Sequence, residues 1–165
     1  MKIIDKFLPE KEFDDIQSLM MGGDFPWYIC TLGMVEEDDG GFQFGHIFLE
    51  PSSGLNSDFI EMWRYFMGKI GAKRGYCRIK ANLTLKTPTP EKSLFHTDYQ
   101  HGDEVDLKTS IFYINTNNGY TEFKNGVIVN SVANRLCTFD SNLEHRGVTH
   151  TEGDHQRVVM NFNYE

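Results

Sequence analysis

The chain is short of cysteine, proline, basic residues and long apolar runs, and each shortage removes a class of protein. Its three cysteines, Cys30, Cys77 and Cys137, are far apart, odd in number and form no C-x-x-C pair. That argues against a disulfide scaffold or a thiolate zinc site and fits reduced, buried thiols in a cytosolic protein. Lys and Arg total 16 against 24 Asp and Glu, for a net charge of −8. Nucleic-acid binding draws largely on neutralising phosphates, so an acidic chain without a basic cluster argues against a nucleic-acid partner. The opening "MKIIDKFLPEKEF" has no long apolar run and reads as neither signal peptide nor anchor. No segment approaches the roughly 18 apolar residues of a membrane-spanning helix. The expectation is a cytoplasmic protein without a membrane partner. Five prolines, no repeat and no Gly- or Pro-rich linker leave nothing to divide the chain, so 165 residues form one domain, 1–165.

What the chain does have is aromatic residues: thirteen Phe, seven Tyr and two Trp, which favour strands. "IIDKFLPEKEFDDIQSLMM" reads as a strand leading into a helix, with Pro9 at the helix start and Phe13, Ile16, Leu19 and Met20 at helical spacing. "FPWYICTLGMV" and "GFQFGHIFLE" read as strands. "NSDFIEMWRYFMGKIG" reads as a second helix, capped by Asn56 or Ser57, closed by Gly71, and packing Phe59, Ile60, Trp63 and Phe66 on a sheet. From residue 76 onward short strands follow one another: "CRIKANLTLK", "SLFHTDY", "LKTSIFYIN", "YTEF", "GVIVN", "ANRLCTF", "EHRGVTH" and "QRVVMNFNY". Helical support over about 1–75 and a β core over about 76–165 suggest an α+β, mainly β protein, with helices on one face of an antiparallel sandwich or barrel.

One stretch, "SLFHTDYQHGDE", carries the chemistry. On a strand, residues i and i+2 share a face, so His96 and Asp98 aim together. An imidazole and a carboxylate so placed are half of a metal site. Two His and one carboxylate on one face of an ion leave positions open for co-substrate and oxygen, which suits non-haem Fe(II). His101, Asp103 and Glu104 follow a glycine-containing turn and read as solvated loop residues.

The third ligand comes from His145, His150 or His155. Read as a hairpin with a three-residue loop, Glu152 to Asp154, "EHRGVTHTEGDHQRVVMNF" places His145, Thr149, Arg157 and Asn161 on one face and turns His150 away. A two-residue loop reverses this parity. Arg157 sits in a strand otherwise made of Val158, Val159, Met160 and Phe162, where an unpaired charge is costly. A guanidinium grips carboxylates in bidentate fashion, so Arg157 reads as an anchor for a carboxylate-bearing co-substrate.

H-T-D at 96–98, the distal His145 and an arginine twelve positions later resemble the 2-oxoglutarate- and Fe(II)-dependent dioxygenases, specifically the prolyl 4-hydroxylase-like branch. "KTSIFYINTNNGYTEF" and "NRLCTFDSNLEHRG" resemble its segments after H-x-D and before the distal His. "RIKANL" and "FPWY" resemble small phage-encoded members. The resemblance implies a double-stranded β-helix (jelly-roll) barrel, Fe(II) on His96, Asp98 and His145, and 2-oxoglutarate held by Arg157, with O2 as co-substrate. It further implies that Tyr113 helps to grip the co-substrate carboxylate and that Asn82 contacts the co-substrate, although Arg78, Lys80, Asn82 and Thr84 also fit a plain solvent face. Val159 departs from the pattern, since many relatives carry a hydroxyl residue there; Thr149 or Asn161 is the expected replacement. The implied reaction hydroxylates an unactivated C–H of a peptidyl, foremost prolyl, or small amino-acid-like substrate, releasing succinate and CO2. "VEEDDGG" (35–41) and "KTPTPEK" (86–92) are candidate lids, and Arg146 and His101 lie beside ligands where substrate could reach them. The competing readings are a non-catalytic cupin-type metal or ligand-binding barrel, a Zn or Mn isomerase or hydrolase, and a nucleic-acid demethylase of the same superfamily.

Overall fold

The structure, a computed structural model, describes residues 1–30, 43–72, 75–98 and 107–165, without the side chains of 61–65 and 67. Strand β1 (Lys2–Ile4) leads to helix α1 (Glu10–Met21), then β2 (Tyr28–Cys30), β3 (Gln43–Glu50) and the two-residue β4 (Gly54–Leu55). A 3-10 segment (Asp58–Trp63) runs into α2 (Arg64–Ile70). The rest is β5 (Tyr76–Leu85), β6 (Lys108–Tyr113), β7 (Tyr120–Phe123), β8 (Ile128–Asn130), β9 (Arg135–Asp140), β10 (His145–Val148) and β11 (Gln156–Tyr164). The large sheet runs β1-β9-β6-β11-β5-β3-β2, with β4 on β3; the small one runs β10-β7-β8. All pairings are antiparallel. Two antiparallel sheets face to face, with helices outside the larger, make the expected jelly roll.

The centre of the large sheet is buried on both faces. Val158, Met160, Phe162 and Tyr164 of β11 join Ile79, Ala81 and Leu83 of β5 and Phe112 and Ile114 in an outer core, covered by Phe13, Ile16 and Met20 of α1 and by Phe66 of α2. Phe66 stacks on Phe162 at 4.8 Å between centroids and meets Phe112 edge-on at 4.9 Å. The alternate residues Ile111, Tyr113 and Val159 turn inward and meet Phe123 and Val129 of the small sheet. Period-two alternation thus sorts one strand into two cores.

Helix α1 begins just after Pro9, whose carbonyl accepts the Phe13 amide. The expected second helix is α-helical only from Arg64; its first turns are 3-10. Ser57 rather than Asn56 caps it, its Oγ accepting the Phe59 amide at 3.2 Å. Gly71, at φ +82, ends it in the left-handed region that a glycine enters without strain. Phe59, Ile60 and Phe66 pack as expected; the Trp63 side chain lies outside the described residues.

Two expectations about the strands are corrected. Residues 93–98 form no ladder strand: they make a single bridge, His96↔His145, along the β10 edge, preceded by another at Lys92↔Val148. Nor do β10 and β11 form a hairpin: β10 pairs with β7 in the small sheet, while β11 lies between β5 and β6 in the large one. Residues 149–155 cross between the sheets. The physical reason is burial: between β5 and β6, β11 is enclosed on both faces and lays Val158, Met160, Phe162 and Tyr164 into the outer core, which pairing with the short β10 could not provide.

Candidate metal centre and co-substrate pocket

His96, Asp98 and His145 lie together, with one ligand atom from each within 4.8 Å of the others. The His96 and His145 amides each donate to the other's carbonyl, at 3.0 and 2.9 Å, so the two backbones are clasped and the rings stand 4.8 Å apart. His145 earns its place through this clasp, not through the hairpin parity expected from the sequence. Each imidazole is also locked locally: Nδ1 of His96 donates to the Leu94 carbonyl at 3.2 Å, and Nδ1 of His145 to the Leu143 carbonyl at 3.0 Å. A carbonyl only accepts, so the proton sits on Nδ1 and the Nε2 lone pairs are left to bind a cation. Those Nε2 atoms face Asp98, His96 at 3.9 Å from Oδ1 and His145 at 3.7 Å from Oδ2. Neighbouring ligands of an octahedral ion at about 2.1 Å stand about 3 Å apart, so a divalent ion would draw these side chains together by roughly 1–2 Å. Burial pushes the His145 pKa down, against the pull of Asp98, and favours the neutral imidazole that a metal needs.

Asn163 was not foreseen. Buried to 1% exposure, its amide donates to Thr109 Oγ1 at 2.9 Å and reaches Asp98 Oδ2 at 3.5 Å, holding the carboxylate from behind. The signal was present: polar residues at 157, 161 and 163 in an apolar strand recur on one face.

Arg157 is 5% exposed, and among the described residues no carboxylate pairs with it. Its Nε donates to Ser131 Oγ at 2.7 Å, and its guanidinium carbon stands 5.8 Å from the centre of the Tyr113 ring. Burial pushes its pKa below the usual arginine value. Gly119 makes room for it, since a Cβ there would come within 2.9 Å of Arg157 Cδ. A buried guanidinium without a counter-charge costs several kcal/mol, which an incoming carboxylate would offset. Tyr113 lies beside it, fully buried, with its hydroxyl donating to Thr121 Oγ1 at 2.8 Å and its pKa pushed up to about 12 by burial. Asn82 is half-buried on the inner face, opposite Val159, and its Oδ1 accepts from Gln43 at 3.1 Å. Thr84, opposite Arg157, has a buried hydroxyl without a partner, and so does Asn161 at Oδ1. Arg78, Lys80, Asn82 and Thr84 therefore face the barrel interior, not open solvent.

Other candidates fall elsewhere. His150 is fully buried, and its Nε2 donates to the Asp154 carbonyl at 2.9 Å, closing the turn; His155 is exposed. The Thr149 hydroxyl bonds the Thr87 hydroxyl and the Glu91 amide, so of the two replacements for a hydroxyl at 159 only Asn161 keeps a free polar atom. The same bonds, with those from Thr87 N to His150 O and from Thr149 N to Glu91 O, pin 86–92 along the β10 edge, which does not suit a swinging lid. Arg146 pairs with Glu122 at 2.8 Å and covers the Phe95 ring at 4.1 Å, on the β10 face opposite His145. His101, Asp103, Glu104 and the 35–41 stretch lie outside the described residues. A groove of about 720 Å³, between α1 and residues 153–156, is separate from the triad.

No protein-family model and no curated protein matches the chain. Solved structures do. The chain is similar to the viral collagen prolyl hydroxylase vCPH from Paramecium Bursaria Chlorella virus-1, at 15% identity and TM-score 0.57 over 98% of this chain and 93% of that one. It is similar to a Trichoplax adhaerens prolyl hydroxylase in complex with a hypoxia inducible factor oxygen degradation domain peptide fragment, at 14% identity and TM-score 0.67 over 99% and 82%. A third is the non-heme alpha ketoglutarate dependent carbocyclase SnoK from nogalamycin biosynthesis, at 11% and 0.68 over 98% and 78%. The fold is that of the 2-oxoglutarate- and Fe(II)-dependent oxygenases, the prolyl hydroxylases among them. At these identities the likeness is one of fold. Among the described residues no helix is long and apolar enough to cross a membrane.

Proposed function

We propose that the chain is an Fe(II)- and 2-oxoglutarate-dependent dioxygenase that hydroxylates an unactivated C–H of a peptidyl, foremost prolyl, or small amino-acid-like substrate. The observation that carries this reading is the pairing of two sites on one inner surface. At one end, two locked imidazoles and a carboxylate aim at a common point. At the other, a buried arginine has no carboxylate to meet among the described residues. A metal barrel without 2-oxoglutarate chemistry has no use for that arginine. His96, Asp98 and His145 would hold the iron, and Arg157 the distal carboxylate of 2-oxoglutarate. Tyr113 would support the guanidinium from its ring face, and Asn82 would border the co-substrate. When bound, iron and 2-oxoglutarate supply the oxidising power, with release of succinate and CO2. The chain's own work is to keep Nε2 of both histidines deprotonated, leave open positions on the ion, orient the co-substrate and line the cavity. Peptide-acting and small-molecule-acting neighbours share the barrel, so both substrate classes remain within the proposal.

The deciding experiment is an anaerobic titration of the Fe(II)-loaded protein with 2-oxoglutarate, followed by its weak visible charge-transfer band. The band should appear in the wild type and vanish in His145→Ala. Iron bound without a band would favour a non-oxygenase metal barrel.

A further inference from the structure

The co-substrate end of the barrel holds a hydroxyl with nothing to bond. Thr84 lies on the inner row of β5, directly opposite Arg157 of β11. Paired positions on neighbouring antiparallel strands bring their Cβ atoms to about 5 Å on one face. Thr84 Oγ1 is shut away from water and has no hydrogen-bond partner. Strand formation does not ask for that hydroxyl. Valine has nearly the same shape, suits a strand as well and buries no polar atom, and valine is what the chain uses at 158 and 159. Across from Thr84, Arg157 is 5% exposed, and no carboxylate meets it among the described residues. Two buried groups able to donate thus stand on paired positions with no acceptor shared between them.

A carboxylate would serve both. It accepts at about four sites; a guanidinium fork fills two, and the rest need other donors. The neighbouring side chains are already committed or out of place. The Tyr113 hydroxyl spends its one proton on Thr121. The Thr149 hydroxyl is taken by Thr87 and Glu91. Ser131 Oγ already serves Arg157 Nε. Val159 has no hydroxyl. Asn161 lies further along β11, opposite Lys80. Four residues of strand separate it from Arg157, about 13 Å. Its unpartnered atom, Oδ1, accepts, as a carboxylate does. Thr84 alone among these combines a hydroxyl with no bond of its own and a position facing Arg157.

We propose that Thr84 is a co-substrate-binding residue: its hydroxyl donates to the distal carboxylate of 2-oxoglutarate held by Arg157, and supplies from the neighbouring strand the hydroxyl that is absent at 159. The inference rests on the oxygenase reading, because 2-oxoglutarate is what brings the carboxylate. It accounts for a hydroxyl kept where the ligand-free chain gains nothing from it, since the group is unsatisfied before binding and satisfied after. It also makes Thr84 a determinant of co-substrate choice. A buried hydroxyl and a buried guanidinium facing one spot both go unpaired when a 2-oxo acid without a second carboxylate enters.

The test uses the whole protein loaded with Zn(II) in place of iron, and reads binding by calorimetry, not turnover. The probes are 2-oxoglutarate and 2-oxopentanoate, which carries a methyl group where 2-oxoglutarate has its distal carboxylate. If 2-oxoglutarate does not bind the wild type, the oxygenase reading falls and this inference with it. If it binds, Thr84→Val should raise the 2-oxoglutarate Kd by about 10- to 100-fold, the range for a hydrogen bond to a charged group, and leave the 2-oxopentanoate Kd unchanged. Thr84→Ser, which keeps the hydroxyl, should retain most of the 2-oxoglutarate affinity. Urea unfolding of the ligand-free proteins should show Thr84→Val at least as stable as the wild type, because an unsatisfied hydroxyl has been removed. An unchanged 2-oxoglutarate Kd in Thr84→Val, an equal loss for 2-oxopentanoate, or a loss in Thr84→Ser as large as in Thr84→Val would overturn the proposal while leaving the oxygenase reading in place. So would a ligand-free Thr84→Val protein that is less stable or does not fold, since the hydroxyl would then be holding the sheet.

Discussion

The two faces of the sheet β5–β11–β6 are built from alternate residues of the same strands, yet they follow opposite rules. On the outer face Ile79, Phe112, Met160 and Phe162 meet α1 and α2 in close apolar contact. On the inner face Arg78 Nε, Thr84 Oγ1 and Asn161 Oδ1 are shut away from water without a hydrogen-bond partner, and Arg157 is buried with no carboxylate beside it among the described residues. The first face maximises stability. The second gives some up, because groups left unsatisfied in the protein are available to a ligand.

Replacements should therefore separate the two faces. The largest effect is expected at the triad: His145→Ala or Asp98→Ala should abolish iron binding by metal titration while urea unfolding shows the fold intact. Phe162→Ala, on the outer face, should cost about 3–5 kcal/mol in urea unfolding, with the iron affinity of the folded fraction unchanged. Arg157→Met inverts that pattern. It should raise the 2-oxoglutarate Kd by about 100-fold while the metal-free protein becomes no less stable, since an unpaired buried charge has been removed. Loss of stability in Arg157→Met would mean that the Ser131 bond outweighs burial of the charge. Asn163→Ala should lower iron affinity by roughly 10- to 100-fold, as loss of a group that orients a ligand does, with Arg157-dependent 2-oxoglutarate binding preserved.

The smallest effect sharpens the comparison through pH. His46 lies on the outer face among Phe25, Phe48 and Phe59, with Nδ1 donating to the Pro26 carbonyl and Nε2 accepting from the Ser57 hydroxyl. Burial pushes its pKa below the usual 6.5, and that of His150 likewise. The unfolded chain takes up protons there first, so unfolding gains protons and stability falls as pH drops below about 6.5. Urea midpoints compared at about pH 7.5 and about pH 5.5 should show the loss, and His46→Gln should reduce it.

Much of this was legible in the chain. The alternation in "CRIKANLTLK" and "QRVVMNFNY" marks strands, and the helical spacing of Phe13, Ile16 and Met20 marks α1, because burial of one face imposes a period on the residues themselves. H-x-D with a distal histidine and an out-of-place arginine marks the residues that the barrel assembles. The partner of each strand was not legible. "EHRG" and "QRVVMNF" look like two arms of a hairpin, yet they belong to different sheets, since strand pairing is settled by what each strand covers at long range. Local pattern also put residues 93–99 in a strand, where over 93–98 the tertiary structure makes only the His96 bridge.

Sequence alone therefore determined which residues share a strand or helix face, and which side chains have the chemistry to bind iron and a carboxylate. The tertiary structure decided that His145 rather than His150 joins His96, that Asn163 supports Asp98, and that the polar row of β5 faces the barrel interior instead of open solvent. Periodicity is a property of neighbours along the chain. Convergence depends on backbone bonds and burial between residues as far apart as His96 and His145, and only the folded sheets supply those.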